Sequence, residues 1–445
     1  MNRVPLKAFA AALAVAALAA CSDAPVQPTV QDAAPSPVLA RGQGTAEQVV
    51  PGDVIVRLRA GADLATVARA HGLAVKRLGA KNAFAVLAGT PGNERAIAAR
   101  LGDDARVVYA EPNYIRQPTL DSRLWAFYNP GNLTVQWFND PRGRTGVVQS
   151  LISKADADED NVEGYAAGGA PVTIGSIDTG VDLDHQEFTG RLLIGTNWVQ
   201  GGPTLPEDWN GHGTHTTGTM AGKTVGVAGV AGAAANVKVY VQAVCGRIGC
   251  FTSDIVSAIY EAADYIDPNG KHLVAVNISI GGTSLAQSEK DAIKYATDNG
   301  VLVVASAGNG GTGTVGCPAC DENAISVAAT DWKDEHAYYT NWGSGLDISA
   351  PGGELFTNTT EEGGIWSAYL NNGYAYLQGT SMAAPQVTGT AAIVASVTGL
   401  RGAQLRARIE STTDDLGARG YDTDFGNGRL NSYRAVTGKS LAGKQ

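Results

Sequence analysis

The strongest constraint on this chain is an alternation that begins at Pro171. Near-continuous apolar stretches end at Ile177 and run from Val237 to Val244, Val274 to Ile280 and Val301 to Ser306. Between them, helical patterns begin after His212 and run from Asp254 to Ile266 and from Gln287 to Asn299. Strands that are apolar throughout are covered on both faces, and intervening helices supply the crossovers that parallel pairing requires. The expected class is α/β, a parallel sheet with helices on both faces. In such sheets reactive groups gather at the carboxyl ends of the strands, where Asp178 and Asn309 stand.

A smaller unit precedes it. Val54, Val56 and Leu58 alternate as in a half-buried strand, and Leu64, Val67 and Ala68 fall at helical spacing. A second strand region runs from Leu73 to Leu87. It is followed by a helix capped by Asn93 with Ile97 and Leu101 on one face, then a strand containing Val107 and Val108. This pattern predicts a small α+β split β-α-β domain. The net charge of -10 and the lack of any basic run exclude nucleic acid as a partner class.

The N-terminus reads as a targeting segment: Arg3 and Lys7 precede an apolar run, Ala8 to Ala20, too short to span a bilayer. Residues 22 to 47 hold Pro25, Pro28, Pro35 and Pro37 without periodicity, as a flexible linker would. Trp125, Phe127, Tyr128, Trp137 and Phe138 suggest a packed arm between 118 and 170. Asp156, Asp158 and Asp160 alternate as in a calcium loop, but Asn161 stands where the turn glycine belongs, which favours a solvated acidic loop. Export favours disulfides for the remaining cysteines, with Cys245–Cys250 and Cys317–Cys320 the simplest pairing. A four-cysteine zinc site is the rival reading. A redox role for Cys317 and Cys320 lacks a thioredoxin-like surround.

The chemistry centres on Gly379-Thr380-Ser381-Met382-Ala383-Ala384-Pro385, which brings a serine to the start of a small-residue helix. A serine hydroxyl is a weak nucleophile unless a base takes its proton. Asn210-Gly211-His212-Gly213-Thr214-His215 offers the base and Ile177-Asp178-Thr179-Gly180 the carboxylate. Taken singly, Ser381 would be a helix cap, His212 a packing histidine and Asp178 a strand-end carboxylate. His212 and His215 could also share a helix face as zinc ligands, but no third ligand is evident, so His215 is expected to be structural. Gly211 and Gly213 leave room beside the His212 ring.

In the order Asp, His, Ser, and with Asn309 in Ala305-Ser306-Ala307-Gly308-Asn309-Gly310, these motifs resemble the subtilisin-like serine proteases, or subtilases, over roughly Pro171 to Val436. The short loop Ala221 to Val227 makes the catalytic part more similar to the proteinase K type. The resemblance implies that Ser381 forms an acyl-enzyme, His212 serves as base and then acid, Asp178 orients it and Asn309 donates to the oxyanion. It also implies that Ser279, Ile280, Gly281 and Gly282 form the substrate strand, with Ala305, Ser306, Ala307 and Gly308 as the facing wall. No charge lines that space, so an apolar or aromatic side chain is expected there. Cys245 to Asp254 resembles the neighbouring subsite loop. No cofactor is required for the chemistry. Asp347 matches the carboxylate of a structural calcium site in the proteinase K type, with a plain surface aspartate as the alternative.

The small unit resembles the family's inhibitory propeptide, with self-cleavage expected between Arg116 and Arg123. Leu18-Ala19-Ala20-Cys21 resembles a bacterial lipobox, which would put a lipid on Cys21; a plain secretory signal ending near Ala20 is the alternative. The expected organisation is therefore signal 1–21, linker 22–47, propeptide 48–117, arm 118–170, catalytic domain 171–437 and tail 438–445, with no further domain. The expected product is an exported, monomeric endopeptidase acting on proteins or peptides, inhibited by its own propeptide and touching membrane only through the N-terminal lipid. Alternatives are a peptide ligase or macrocyclase and a catalytically dead, lipid-tethered binding protein.

Overall fold

The computed structural model describes residues 49–78, 84–114, 134–137, 146–149, 169–199, 201–223, 229–232, 234, 236–355 and 363–439. Cys21, the Asp156 to Asp160 run and the expected cleavage region lie outside them. The chain forms two compact units, Pro35–Thr119 and one that includes Leu120–Gln445.

In the first unit four antiparallel strands, β1 (Val49–Leu58), β2 (Ala74–Leu78), β3 (Ala85–Ala88) and β4 (Val107–Tyr114), pair in the order β2-β3-β1-β4. Helices α1 (Leu64–Ala70) and α2 (Glu94–Gly102) bring Val67, Ile97 and Leu101 onto Val54, Val56, Leu87 and Val107. The strand region expected from Leu73 to Leu87 contributes β2 and the start of β3. Asn93 makes no side-chain cap, contrary to expectation. The Glu94 carboxylate instead accepts from the Gly52 and Gly92 amides at 2.6 and 2.8 Å, which ties the helix start to β1.

In the second unit β5 (Thr134–Trp137) and β6 (Gly146–Gln149) make a separate antiparallel pair. The main sheet has seven parallel strands, β7 (Val172–Asp178), β8 (Leu192–Asn197), β9 (Val237–Ala243), β12 (Ala275–Ile278), β13 (Leu302–Ser306), β14 (Ala324–Thr330) and β15 (Ile348–Pro351). Their order is β15-β14-β13-β12-β7-β9-β8. On one face α4 (Thr252–Asp264) and α5 (Gln287–Asp298) pack Ile255, Ile259 and Ile293 against Val276, Ile278 and Val303. On the other, α3 (His212–Ala221), α6 (Thr380–Thr398) and α8 (Ser432–Thr437) pack Met220, Val387, Ile393 and Ala435 against Ile174, Val239 and Val304. Helix α7 (Gly402–Glu410) adds Leu405 and Ile409 to that core. Two further hairpins, β10 (Cys245–Gly246) with β11 (Gly249–Cys250) and β16 (Ile365–Tyr369) with β17 (Gly373–Leu377), lie outside the sheet.

In the first unit Asp104 accepts from Arg106 Nη2 at 2.6 Å and lies 2.8 Å from His71 Nε2. Bonds from the Arg106 side chain, then the Arg106 amide, then His71 hold its carboxyl below the ordinary carboxylate range. The folded unit therefore binds this proton less readily than the unfolded chain does. The stabilisation is complete above the unfolded pKa of about 3.9 and is lost as pH falls through it toward the lower folded value. Asp104→Asn should flatten the loss of stability below about pH 4.5, as read by urea unfolding with hydrogen-exchange mass spectrometry of residues 85–114.

Candidate active site

Strand β7 ends with Asp178 on the buried sheet, and α3 starts with His212 directly above it. Asp178 Oδ1 lies 2.7 Å from His212 Nδ1. The carboxylate is fully buried, whereas the imidazole keeps 15% of its side-chain surface. An ionised carboxylate without water needs donors on both oxygens. Oδ1 also accepts from the Thr179 amide at 2.7 Å, and Oδ2 accepts from Thr216 Oγ1 at 3.2 Å. A carboxylate fixed this way holds the imidazole proton on Nδ1 and turns Nε2 outward as an acceptor.

The glycines beside His212 have a different cause from the one expected. A Cβ on Gly213 would meet the Gly180 carbonyl at 2.1 Å and the Asp178 Cβ at 3.0 Å, so glycine lets α3 seat on the end of β7. Gly211 packs against the Tyr369 ring. His215 is structural: its Nε2 lies 3.0 and 3.1 Å from the carbonyls of Ile365 and Ala375, tying hairpin β16–β17 to α3.

Ser381 stands in the first turn of α6. Pro385 lacks an amide hydrogen, so the Ser381 carbonyl has no partner four residues on. Ser279 Oγ supplies one at 2.9 Å, and Asn277 Nδ2 in turn donates to Ser279 Oγ at 2.9 Å. The Ser381 hydroxyl donates to the Ser279 carbonyl at 3.3 Å. Asn309 follows β13, and its Oδ1 accepts from the Thr380 amide at 2.9 Å and from Thr380 Oγ1 at 2.8 Å. With its oxygen so engaged, the amide nitrogen is turned away from the Thr380 donors.

Ser279 to Gly282 and Ala305 to Gly308 leave the sheet from adjacent parallel strands, with Ile278 in register with Ala305. Gly282 does not offer its backbone to a bound peptide: its amide donates to the Cys317 carbonyl at 2.7 Å and its carbonyl accepts from the Cys317 amide at 2.9 Å. The Gly316 amide donates to the Ala307 carbonyl at 2.7 Å, so this loop latches both walls. Both short-spaced cysteine pairs are disulfides, Cys245–Cys250 at 2.01 Å and Cys317–Cys320 at 1.96 Å, which removes the zinc reading. The first closes hairpin β10–β11, whose Cys245 carbonyl accepts from Trp209 Nε1 at 3.0 Å. Thr179, Asn197, Glu207, Trp209, Cys245 and Arg247 line a cavity there.

Asp347 does not fit a calcium ligand. Its Oδ1 accepts from Arg406 Nη2 at 2.8 Å, and its Oδ2 accepts from the Ser326 amide and hydroxyl, both at 2.8 Å. A guanidinium stands where a cation would bind. Among the described residues no group of three histidines, cysteines, aspartates or glutamates is arranged to hold a metal.

Several residues of the site carried no assignment from sequence. Thr380 lies inside the serine motif without a role of its own. Asp208 is buried four residues before His212 and accepts from the amides of Asn210, Gly211 and Thr214 and the hydroxyls of Thr179 and Thr214, all within 3.0 Å. An aspartate just ahead of a helix is a recognisable capping signal. Tyr369, whose hydroxyl donates to the Asn210 carbonyl at 3.0 Å, left no trace in the pattern.

Comparison with known proteins agrees with this geometry. Residues 169–428 match the subtilase family, and residues 35–113 match the fervidolysin N-terminal prodomain. A thermophilic serine proteinase of Bacillus sp. (strain AK1) is 33% identical over 399 residues, covering 87% of this chain and 88% of the relative. Thermitase of Thermoactinomyces vulgaris is 35% identical over 271 residues, covering 61% of this chain and 90% of thermitase. A solved protease structure from Pseudoalteromonas arctica PAMC 21717 superposes with a TM-score of 0.56 at 30% identity, covering 64% of this chain and 94% of the other. The chain belongs to the subtilase family. It is a serine-type endopeptidase with an N-terminal prodomain, and these likenesses lend no support to the ligase or binding-protein alternatives.

Asp208→Ala would leave several buried amides at the start of α3 without an acceptor. The variant should lose about 2–4 kcal/mol of stability, read as a lower urea midpoint at unchanged slope.

Proposed function

We propose that the protein is an exported, self-processing zymogen whose catalytic unit hydrolyses peptide bonds through an acyl-enzyme on Ser381. The observation that carries this reading is the 2.7 Å bond between buried Asp178 and His212 Nδ1. It leaves Nε2 to take the Ser381 proton as Oγ attacks the scissile carbonyl. The carbonyl oxygen gains charge and accepts from Asn309 Nδ2 and from the Ser381 amide at the start of α6, where the helix dipole adds to the field. His212 returns the proton to the leaving amine, and the same groups then activate water against the ester.

The substrate lies against Ser279 to Gly281, and its side chain before the cleaved bond enters between Gly281 and the Ala305 to Gly308 wall. With glycine, alanine and serine as lining, the preference is for apolar or aromatic side chains. Structural calcium at Asp347 forms no part of this reading. The prodomain serves as intramolecular inhibitor until cut between Arg116 and Arg123. Lipid on Cys21 would then remain with the prodomain and free the protease. Support for export and processing comes from the N-terminal apolar run and the prodomain match.

Intact mass of the chain begun after Cys21 tests this, with Ser381→Ala in parallel. The native chain should be cut between residues 116 and 123 and its serine should react with a fluorophosphonate, while the variant stays whole and unlabelled. A native chain that neither cleaves nor labels would overturn the assignment of Ser381.

A further inference from the structure

The Thr380 bonds fix the side chain of Asn309, and Thr380 Oγ1 also accepts from the Gly308 amide at 3.1 Å, which anchors the loop only at its start. Residues 308 to 313 read Gly-Asn-Gly-Gly-Thr-Gly and belong to no helix or strand. Glycine on this scale gives a segment the greatest conformational freedom and no side chains to pack. Such a loop would let the Asn309 amide wander, unless something outside it sets its course.

Asn341, buried in the turn between β14 and β15, does so with both ends of its side chain and with its backbone. Its amide hydrogen donates to the Gly308 carbonyl at 2.8 Å. Its Oδ1 accepts from the Gly310 amide at 2.9 Å, the Thr312 amide at 3.3 Å and Thr312 Oγ1 at 3.2 Å. Gly308 has φ +102°, and a Cβ there would come within 2.5 Å of Asn341 Nδ2, so the amide nitrogen fills the space under Gly308. Asn309 is thus the residue between one that packs on the Asn341 nitrogen and one that donates to its oxygen. The neighbours continue the seam: the Gly311 amide donates to the Tyr339 carbonyl at 2.6 Å and the Trp342 amide to the Thr312 carbonyl at 3.0 Å.

We propose that Asn341 is a positioning residue for catalysis, which sets the oxyanion donor by holding the Gly308 to Thr312 backbone around its side-chain amide. This rests on the reading of Asn309 as that donor. Asn341 bonds to the wall residue Gly308 and to Gly310 and Thr312, on either side of Asn309, so an effect on turnover passes through Asn309 and an effect on substrate affinity through Gly308. A residue acting through Asn309 changes turnover more than substrate affinity, because the oxyanion forms only in the transition state.

A double-mutant cycle tests it, with wild type, Asn341→Ala, Asn309→Ala and the double variant assayed on a peptide anilide and each rate normalised to serine labelled by exhaustive fluorophosphonate. Asn309→Ala should lower kcat about 100- to 1000-fold, the size of the loss when subtilisin itself is stripped of such a donor. Asn341→Ala should lower kcat about 10- to 100-fold with KM changed less than about threefold, and should cost less than about threefold more once Asn309 is already alanine. Equal losses in both backgrounds, or an effect on KM alone, would overturn the proposal while leaving the Asn309 reading intact. An Asn309→Ala protein with full turnover would overturn that reading and this inference together. If Asn341→Ala does not fold, the same cycle is run with Asn341→Asp, which keeps an accepting oxygen but replaces the nitrogen under Gly308, and the same non-additivity is expected.

Discussion

The burial of α6 is the constraint on which the rest of the catalytic unit depends. From Thr380 to Ser396 every residue is buried and none is charged, and most are alanine, glycine, serine, threonine or valine. Small side chains let the helix lie at close range against both the sheet and its neighbour α3, and so bring its first turn to one place. That place is the end of strands β12 and β13, where Ser279 and Asn309 begin their loops. Pro385 sharpens the arrangement. By denying the Ser381 carbonyl its helical partner, it creates a need that Ser279 meets, and so ties the segment after β12 to the backbone of Ser381.

A second requirement is the housing of negative charge away from water. Asp178 is fully enclosed, and burying a carboxylate costs several kcal/mol unless its lone pairs are met. The donors that meet them come from Thr179, the next residue in the chain, and from Thr216 and His212 on α3. Asp208 repeats the device one layer out: it gathers the first amides of α3 together with the Thr179 hydroxyl, whose oxygen accepts from the Gly213 amide at 2.9 Å. The imidazole is therefore aimed by a continuous set of bonds and not by packing alone.

What the sequence made legible follows from how local each signal is. Apolar runs and helical periodicity are properties of short windows, so the parallel sheet and most of its helices could be read directly, although β8, β14, β15 and the aromatic hairpin β16–β17 gave no clean pattern. Asp178, His212, Ser381 and Asn309 were visible because each sits in a motif shaped by its own neighbours. Asn341, Tyr369 and Arg406 were not, because each acts on a segment remote in the chain. Arg406 lies 59 residues from Asp347, and the carboxylate weighed as either a calcium ligand or a plain surface aspartate is the partner of a helix α7 arginine. The withdrawal of Gly282 from substrate pairing likewise depends on a contact with Cys317 that no local window contains.

The segments that follow β12 and β13 set a physical problem of their own. Of Gly281, Gly282 and Gly308, only Gly282 faces open space; a Cβ on Gly308 would meet Asn341 Nδ2 at 2.5 Å and one on Gly281 the Cys317 carbonyl at 3.1 Å, so these glycines allow close approach of neighbouring segments but give packing nothing to grip. Their stiffness has to come from the backbone. On one side Asn341 gathers the Gly308 to Thr312 segment, and on the other the Gly316 and Cys317 backbone pairs with Ala307 and Gly282 in a turn closed by the Cys317–Cys320 disulfide. A covalently closed turn can hold two glycine-rich strands apart at constant width without contributing a side chain to the space between them. Width and chemical character are thereby set by different residues, because the dimensions of the opening depend on hydrogen bonds outside it.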